Sequence, residues 1–173
     1  GFDRVAFGNA DEVRAAVTDE TAAILVEPGQ GESGIFPAAD DFLAQLRDIA
    51  DEFGLLLLFD EVQCGVGRTG KLFAHHWAGI TPDVMSLAKG LGGGFPIGAV
   101  MATKDAAAGM TPGTHGCTFG GNPLAASCAN AVLDVLLEKG FLERVSMLGD
   151  RLRSEVESVS DHFPGVLESV RSK

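Results

Sequence analysis

Hydrophobic and polar positions change period several times along this chain, and each change marks an element. Residues 9–17 carry the spacing of a short helix, with Asn9 placed to cap it. Thr21 to Glu27 (TAAILVE) is an almost unbroken apolar run closed by Pro28, the pattern of a strand buried on both faces of a parallel sheet. A polar, glycine-rich loop, Gly29 to Gly34, follows it. Residues 40–53 return to helical spacing: Phe42, Leu43, Leu46, Ile49, Ala50 and Phe53 share one face, and Gly54 stands just past the end. Leu55 to Phe59 is a second buried-strand run, ending at Asp60. Pro82 introduces a third, Asp83 to Ala88, which delivers Lys89, and Ile97 to Ala102 is a fourth. Asn122-Pro123 opens a helix that runs to about Lys139 and stops at Gly140. The last helix carries Phe141, Val145, Leu148, Leu152, Val156 and Val159 at steps of three and four. Pro164 breaks it, and Val166 to Val170 has the composition of a further strand. Strand, helix and strand in this order predict an α/β fold, a mostly parallel sheet flanked by helices and joined by right-handed crossovers.

Composition narrows the class. The 173 residues are 46% hydrophobic, enough for one sizeable core. A net charge of −11 argues against nucleic acid and anionic membrane as partners. A solvated acidic surface explains that charge, and so does adaptation to a salty cytoplasm. The three cysteines, Cys64, Cys117 and Cys128, form no CxxC pair, so neither a disulfide framework nor a metal site is expected. The longest apolar run is far short of a membrane span, and the first residues lack the apolar centre of a signal peptide. A cytoplasmic protein is expected.

Ligands of open α/β sheets gather at the carboxyl ends of the strands, which is where Glu27, Asp60 and Lys89 fall. A salt-bridged cluster is one explanation of two acids and a lysine there. Two nucleotide patterns compete as well. Leu55 to Glu61 has the form of a magnesium-holding strand of nucleotide hydrolases, and Gly65 to Lys71 approaches a phosphate loop. Leu72, however, stands where Ser or Thr must reach the metal, and no long helix follows to complete a dinucleotide fingerprint. A third chemistry suits the pair better. A buried aspartate pairs with the protonated pyridine nitrogen of pyridoxal phosphate and keeps the ring an electron sink. A lysine on the next strand end forms the Schiff base and, once displaced, shuttles a proton. Gln63 is placed for the ring oxygen, and the glycines after Lys89 let the backbone pass close to the ring.

Four blocks in order carry a resemblance: Glu27-Pro-Gly-Gln-Gly-Glu32, Asp60-Glu-Val-Gln-Cys-Gly-Val-Gly-Arg-Thr-Gly70, Leu87-Ala-Lys-Gly-Leu-Gly-Gly-Gly-Phe-Pro96 and His115-Gly-Cys-Thr-Phe-Gly-Gly-Asn-Pro123. Together, with Asp60 and Lys89 29 residues apart, they resemble the class III aminotransferases, fold-type I enzymes dependent on pyridoxal 5'-phosphate. The resemblance implies that Lys89 is the catalytic Schiff-base lysine and that Asp60, Glu61, Val62, Gln63 and Thr118 complete the cofactor site. Asp60 then holds the pyridine nitrogen, Val62 packs on the ring, and Thr118 serves the phosphate of the neighbouring subunit in a homodimer. A helix starting at Asn122-Pro123 suits an anion there. Cys117, Glu32 and Glu27 are implied on the substrate side, with Glu32 as a gate acid and Gln30 supporting the pocket. The implied substrates are a small ω-amino donor, with N-acetylornithine nearest and ornithine, 4-aminobutyrate or carrier-linked lysine as alternatives, and 2-oxoglutarate as acceptor. A nucleotide hydrolase or a non-catalytic segment is the distant alternative. His75, His76 and Trp77 are assigned to packing or surface, and Cys64 and Cys128 to small buried positions.

Three features of the family are missing from this sequence: a glycine-serine phosphate loop upstream, an aromatic residue to stack on the cofactor, and the arginine for the substrate α-carboxylate. Residues 1–160 are therefore expected to be the central part of the large domain and 161–173 the start of the small one. The 173 residues alone are expected to bind the cofactor weakly and turn over little.

Overall fold

The computed structural model describes residues 1–173 except Ser33, Pro164 and Glu168. Its centre is a four-stranded sheet, and residues 10–16 (α1), 40–53 (α2), 123–136 (α3) and 141–162 (α4) are helical. The strands of this sheet are β1 (Ala23–Val26), β4 (Leu56–Asp60), β5 (Val84–Leu87) and β6 (Ala99–Ala102), in the spatial order β1-β4-β5-β6. The first three are parallel, and β6 runs antiparallel to β5. β2 (Gly29–Gln30), in the expected glycine-rich loop, pairs with β3 (Phe36–Pro37), just past it, as a small antiparallel ribbon too short to leave a periodic signal.

Helix ends follow the capping chemistry. Asn9 accepts a hydrogen bond from the Glu12 N–H, and Asn122 accepts one from the Ala125 N–H with Pro123 in the first turn. Gly54 closes α2 in the left-handed conformation, φ 67°. The helix expected to reach Lys139 ends at Leu136, because Gly140 opens α4 rather than closing α3.

Register explains the core. Side chains alternate across a strand, so Ile24, Val26, Leu57, Phe59, Met85 and Leu87 share one sheet face. Leu57 and Phe59 pack under Phe42, Leu43, Leu46 and Ile49 of α2. Met85 and Leu87 join a second cluster with Val66, Leu91 and the α3 residues Ala129 and Leu136. Both faces of the strands are expected from the sequence to be buried; among the described residues only one is, which corrects that expectation. The opposite face carries Leu25, 61% exposed, and Val100, 73% exposed, because these helices cover one side of the sheet. Phe53 also departs from its expected place: it is exposed, with the Arg14 guanidinium 5.8 Å over its ring. The predicted apolar stripe of α4 is present, but Leu148, Leu152 and Val159 on it are exposed.

The expected break at Pro164 lies outside the described residues. The strand expected over 166–170 is not formed by Val166, Leu167, Ser169 or Val170. Those last residues fold back instead: Arg171 Nε donates to the carbonyls of Gly34 (3.1 Å) and Ile35 (3.2 Å), and Lys173 Nζ meets Asp40 at 2.7 Å.

Candidate active site

The candidate site lies at the carboxyl ends of β4 and β5, and strand parity decides which side chains reach it. Asp60 is level with Ser86 on β5, on the uncovered sheet face. Glu61 follows, its N–H donating to the Ser86 carbonyl at 3.0 Å, so the ladder continues and its side chain turns to the helix-covered face. Asp60 is half-buried and its Oδ1 accepts the Val62 N–H at 2.9 Å, which fixes the carboxylate against its own turn. Among the described residues its Oδ2 has no hydrogen-bond partner.

Lys89 begins a 3₁₀ turn, Lys89–Gly92, directly after β5. Its side chain is exposed, and its φ of 43° puts a non-glycine residue in the left-handed region. Such a conformation costs about 1–3 kcal/mol and persists only where packing imposes it. The packing is visible in the glycines that follow. A Cβ on Gly90 would meet Val66 at 3.5 Å, one on Gly92 would meet Ile97 at 2.8 Å, and one on Gly93 would meet Val132 of α3 at 2.8 Å. The tract expected to skirt the cofactor ring thus also seats the Lys89 turn on α3. Val66 is itself at φ 53°, rare for a β-branched residue.

The ribbon after β1 closes over the residues that follow β4. Glu27 is half-buried one residue beyond Val26, which is level with Phe59. Gly29 lies against Cys64, where a Cβ would be 3.6 Å from the Cys64 Cβ. The Gln63 side chain occupies the space a Cβ on Gly31 would fill. Glu27, Asp60, Gln63 and Lys89 are therefore gathered on neighbouring strand ends. Gln30 lies in β2, and Glu32 is exposed in the turn beyond it. Val62 is half-buried beside Asp60.

Cys117 and Thr118 are both exposed in the segment that leads to α3. Asn122 ties that segment together by donating Nδ2–H to the Phe119 carbonyl at 2.9 Å. Among the described residues no hydrogen bond or ion pair joins Cys117 or Thr118 to Asp60 or Lys89.

Glu61 is completely buried. Its Oε2 accepts the Ala74 N–H at 2.6 Å, and its Oε1 accepts the His75 N–H at 2.9 Å and the His75 Nδ1–H at 2.7 Å. With both oxygens engaged inside the protein, this side chain supports the site from behind rather than facing a ligand. His75 is buried as its packing assignment requires, stacked on Phe73 with ring centres 5.5 Å apart. The Glu61–His75 link was not legible in the sequence, since 14 residues separate the partners and no spacing rule joins them.

Electrostatics follow burial. Desolvation, reinforced by the Glu61 charge, pushes the Cys64 thiol up to about 12. Partial burial and the neighbouring His75 push His76 below its ordinary value.

The glycine loop between Asp60 and Lys89 is closed to phosphate. Gly67 and Gly70 are buried; a Cβ on Gly67 would be 2.7 Å from Leu136, and one on Gly70 would strike Ser146 of α4. A four-residue 3₁₀ turn, Ala74–Trp77, follows instead of a long helix. The glycine loop therefore lacks the geometry that either a phosphate loop or a dinucleotide fingerprint needs.

The profile of the family described as Aminotransferase class-III matches residues 4–173. The chain belongs to the class III aminotransferases. This family uses pyridoxal phosphate, and the sheet with its flanking helices is that of a fold-type I enzyme. The acetylornithine aminotransferase of Mesorhizobium japonicum is 57% identical over 171 residues, covering 99% of this chain and 43% of that protein. That of Rhodobacter capsulatus is 56% identical over 173 residues, covering 100% and 44%. Among solved structures, acetylornithine aminotransferase from Elizabethkingia anophelis superposes with a TM-score of 0.94 at 39% identity, covering 100% of this chain and 44% of that one. Ornithine aminotransferase from Toxoplasma gondii, with pyridoxal phosphate at partial occupancy in its active site, gives 0.94 at 34% identity, covering 100% and 41%. The class III chain described here thus spans less than half the length of these relatives.

Proposed function

We propose that the protein transfers the amino group of N-acetylornithine, or a similar ω-amino donor, to 2-oxoglutarate, as a cytoplasmic homodimer in arginine biosynthesis. The observation that carries this reading is the β4–β5 register. It sets Asp60 level with Ser86, three residues before Lys89, in a chain 57% identical to an acetylornithine aminotransferase. No helix among the described residues is long and apolar enough to cross a membrane.

The donor set suits the cofactor: among the described residues, a carboxylate with an unshared oxygen and an exposed primary amine without a hydrogen-bond partner, on adjacent strand ends. Pyridoxal phosphate, when bound, supplies the electron sink for loss of the amino acid's α-proton. Asp60 would hold the ring nitrogen and stabilise its positive charge with the carboxylate oxygen left unshared. Lys89 Nζ is the amine that would hold the cofactor, and its exposed side chain, when released, would take up and return a proton. Gln63, held against Gly31, would orient the ring oxygen, and Val62 would cover the ring. Thr118, four residues before the capped start of α3, takes the phosphate held by the other protomer. Cys117, Glu32 and Glu27 line the substrate side, and Glu61 contributes through the backbone it holds. Residues 1–160 form the central part of the large domain, with 161–173 opening the small one.

Ornithine as donor has weaker support, since the ornithine aminotransferase named above is 34% identical and the acetylornithine enzymes reach 56–57%. An amino-donor screen of the intact protein with 2-oxoglutarate tests the reading. N-acetylornithine gives the highest kcat/KM; a preference for ornithine or 4-aminobutyrate overturns it.

A further inference from the structure

Among the described residues Glu61 is the only carboxylate that is fully buried, and the chemistry proposed above makes no use of its charge. Burying a carboxylate is unfavourable unless hydrogen bonds replace water. Here three donors do so: the N–H groups of Ala74 and His75 and the His75 Nδ1–H, at 2.6, 2.9 and 2.7 Å. The backbone of Glu61 is tied as firmly. Its N–H reaches the Ser86 carbonyl at 3.0 Å, and its carbonyl accepts the Gly65 N–H at 2.9 Å. Gly65 has to be glycine, because a Cβ there would stand 2.8 Å from the Glu61 carbonyl oxygen and 3.0 Å from Oε2. His75 is held in turn between Phe73, 5.5 Å away, and Phe59, 6.4 Å away. One residue thus joins the end of β4, the end of β5, the glycine loop and the 74–77 turn.

An apolar side chain fills buried volume as well as a carboxylate does, and replacing buried ionic groups by apolar ones is often neutral for stability. A charge kept in this place therefore calls for a geometric reason, and the neighbours supply one. Asp60 ends β4 and Glu61 follows it directly, so anchoring Glu61 in the helix-covered face fixes how Asp60 presents its carboxylate on the other. The Ser86 carbonyl bound by the Glu61 N–H lies three residues before Lys89.

We propose that Glu61, backed by His75, is a positioning residue that holds Asp60 and Lys89 in the relative placement their shared cofactor needs. This inference rests on the reading of the site given above. Glu61→Gln preserves volume but turns an NH2 toward one of three donors, so it loosens the clamp. His75→Phe keeps the ring and removes one donor, without touching any atom proposed to face cofactor or substrate.

The test measures four quantities in the intact protein for both variants: the dissociation constant of pyridoxal phosphate, the absorbance maximum of the bound cofactor, kcat and KM. Glu61→Gln is expected to raise the dissociation constant and lower kcat, each about tenfold, by misplacing reacting groups. The absorbance maximum shifts while the KM of the amino donor stays close to the parent value. His75→Phe moves each in the same direction by less. A folded Glu61→Gln protein with the parent's affinity, absorbance and kcat overturns the proposal. If Glu61→Gln does not fold, His75→Phe decides: shifts of the same sign support the proposal, and parent values overturn it. Absence of a bound-cofactor band in the unsubstituted protein overturns the reading of the site and this inference with it. A normal band there with unmoved variants overturns the inference alone.

Discussion

Replacing Asp83 probes how the strands that present the site are tied together. Its Oδ2 accepts both the Leu57 N–H and the Arg47 Nη1–H, each at 2.8 Å, while its own N–H reaches the Leu57 carbonyl at 2.8 Å. Leu57 is wholly inside the core, 0% exposed, so Asp83→Ala strands a buried amide at about 1–3 kcal/mol. Loss of the ion pair adds about 1 kcal/mol, since Arg47 is 17% exposed and keeps Asp51 at 2.6 Å. The sum, about 3 kcal/mol, lowers Tm by about 6–12 °C for a chain of this size. Asp83→Asn keeps an acceptor for Leu57 and loses only the charge, about 1 kcal/mol or about 2–4 °C. Burial alone would raise the Asp83 pKa, but the Leu57 N–H and the Arg47 guanidinium outweigh it and hold the carboxyl below its ordinary 3.8. A carboxyl depressed in the folded state gives stability that is complete above its unfolded value and is lost as pH falls through its folded value. The Tm gap between wild type and Asp83→Asn therefore holds steady above about pH 5 and closes below about pH 4. Thermal melts across this range check it. The reasoning fails if Asp83→Ala is no worse than Asp83→Asn, or if the gap closes near neutral pH.

Three further outcomes are expected. At mildly alkaline pH a thiol reagent labels the exposed Cys117 first and leaves Cys64 untouched until unfolding, because the Cys64 thiol titrates near 12; peptide mapping after timed labelling reads this. Gly67→Ala places a Cβ 2.7 Å from Leu136 at a φ of +79° and is expected to cost about 2–4 kcal/mol by urea unfolding, from overpacking and left-handed strain together. Asn122→Ala removes the cap of α3 and the bond to the Phe119 carbonyl, for a loss of about 1 kcal/mol in the same assay.

Much of the fold is legible because its signals are local. The α2 face of Phe42, Leu43, Leu46, Ile49 and Ala50 reads directly from a period of 3.6, and all five are buried. Asn122-Pro123 marks the start of α3 for an equally local reason. The runs of β1 and β4 show that strands are present, but not which face is covered: Leu25 and Leu57 look alike in sequence and differ from 61% to 0% exposure. That difference depends on where α2 lands. Asp60 and Lys89 are legible as strand-end residues, and their neighbourhood follows from the parallel register. The support behind them is not, because Glu61–His75, Gly93–Val132 and Gly67–Leu136 are contacts between distant segments. The left-handed backbone of Lys89 is also invisible in sequence, being imposed by the packing of the turn it starts.

The most direct test of the site is to locate the bond to the cofactor. The intact protein is purified with pyridoxal phosphate, reduced with borohydride, digested and mapped by mass spectrometry. The cofactor mass is expected on the peptide containing Lys89, and Lys89→Ala abolishes both the label and the visible absorbance band. Label on Lys71 or Lys104, or a Lys89→Ala protein that keeps its band, contradicts the assignment of Lys89 and Asp60 to one cofactor.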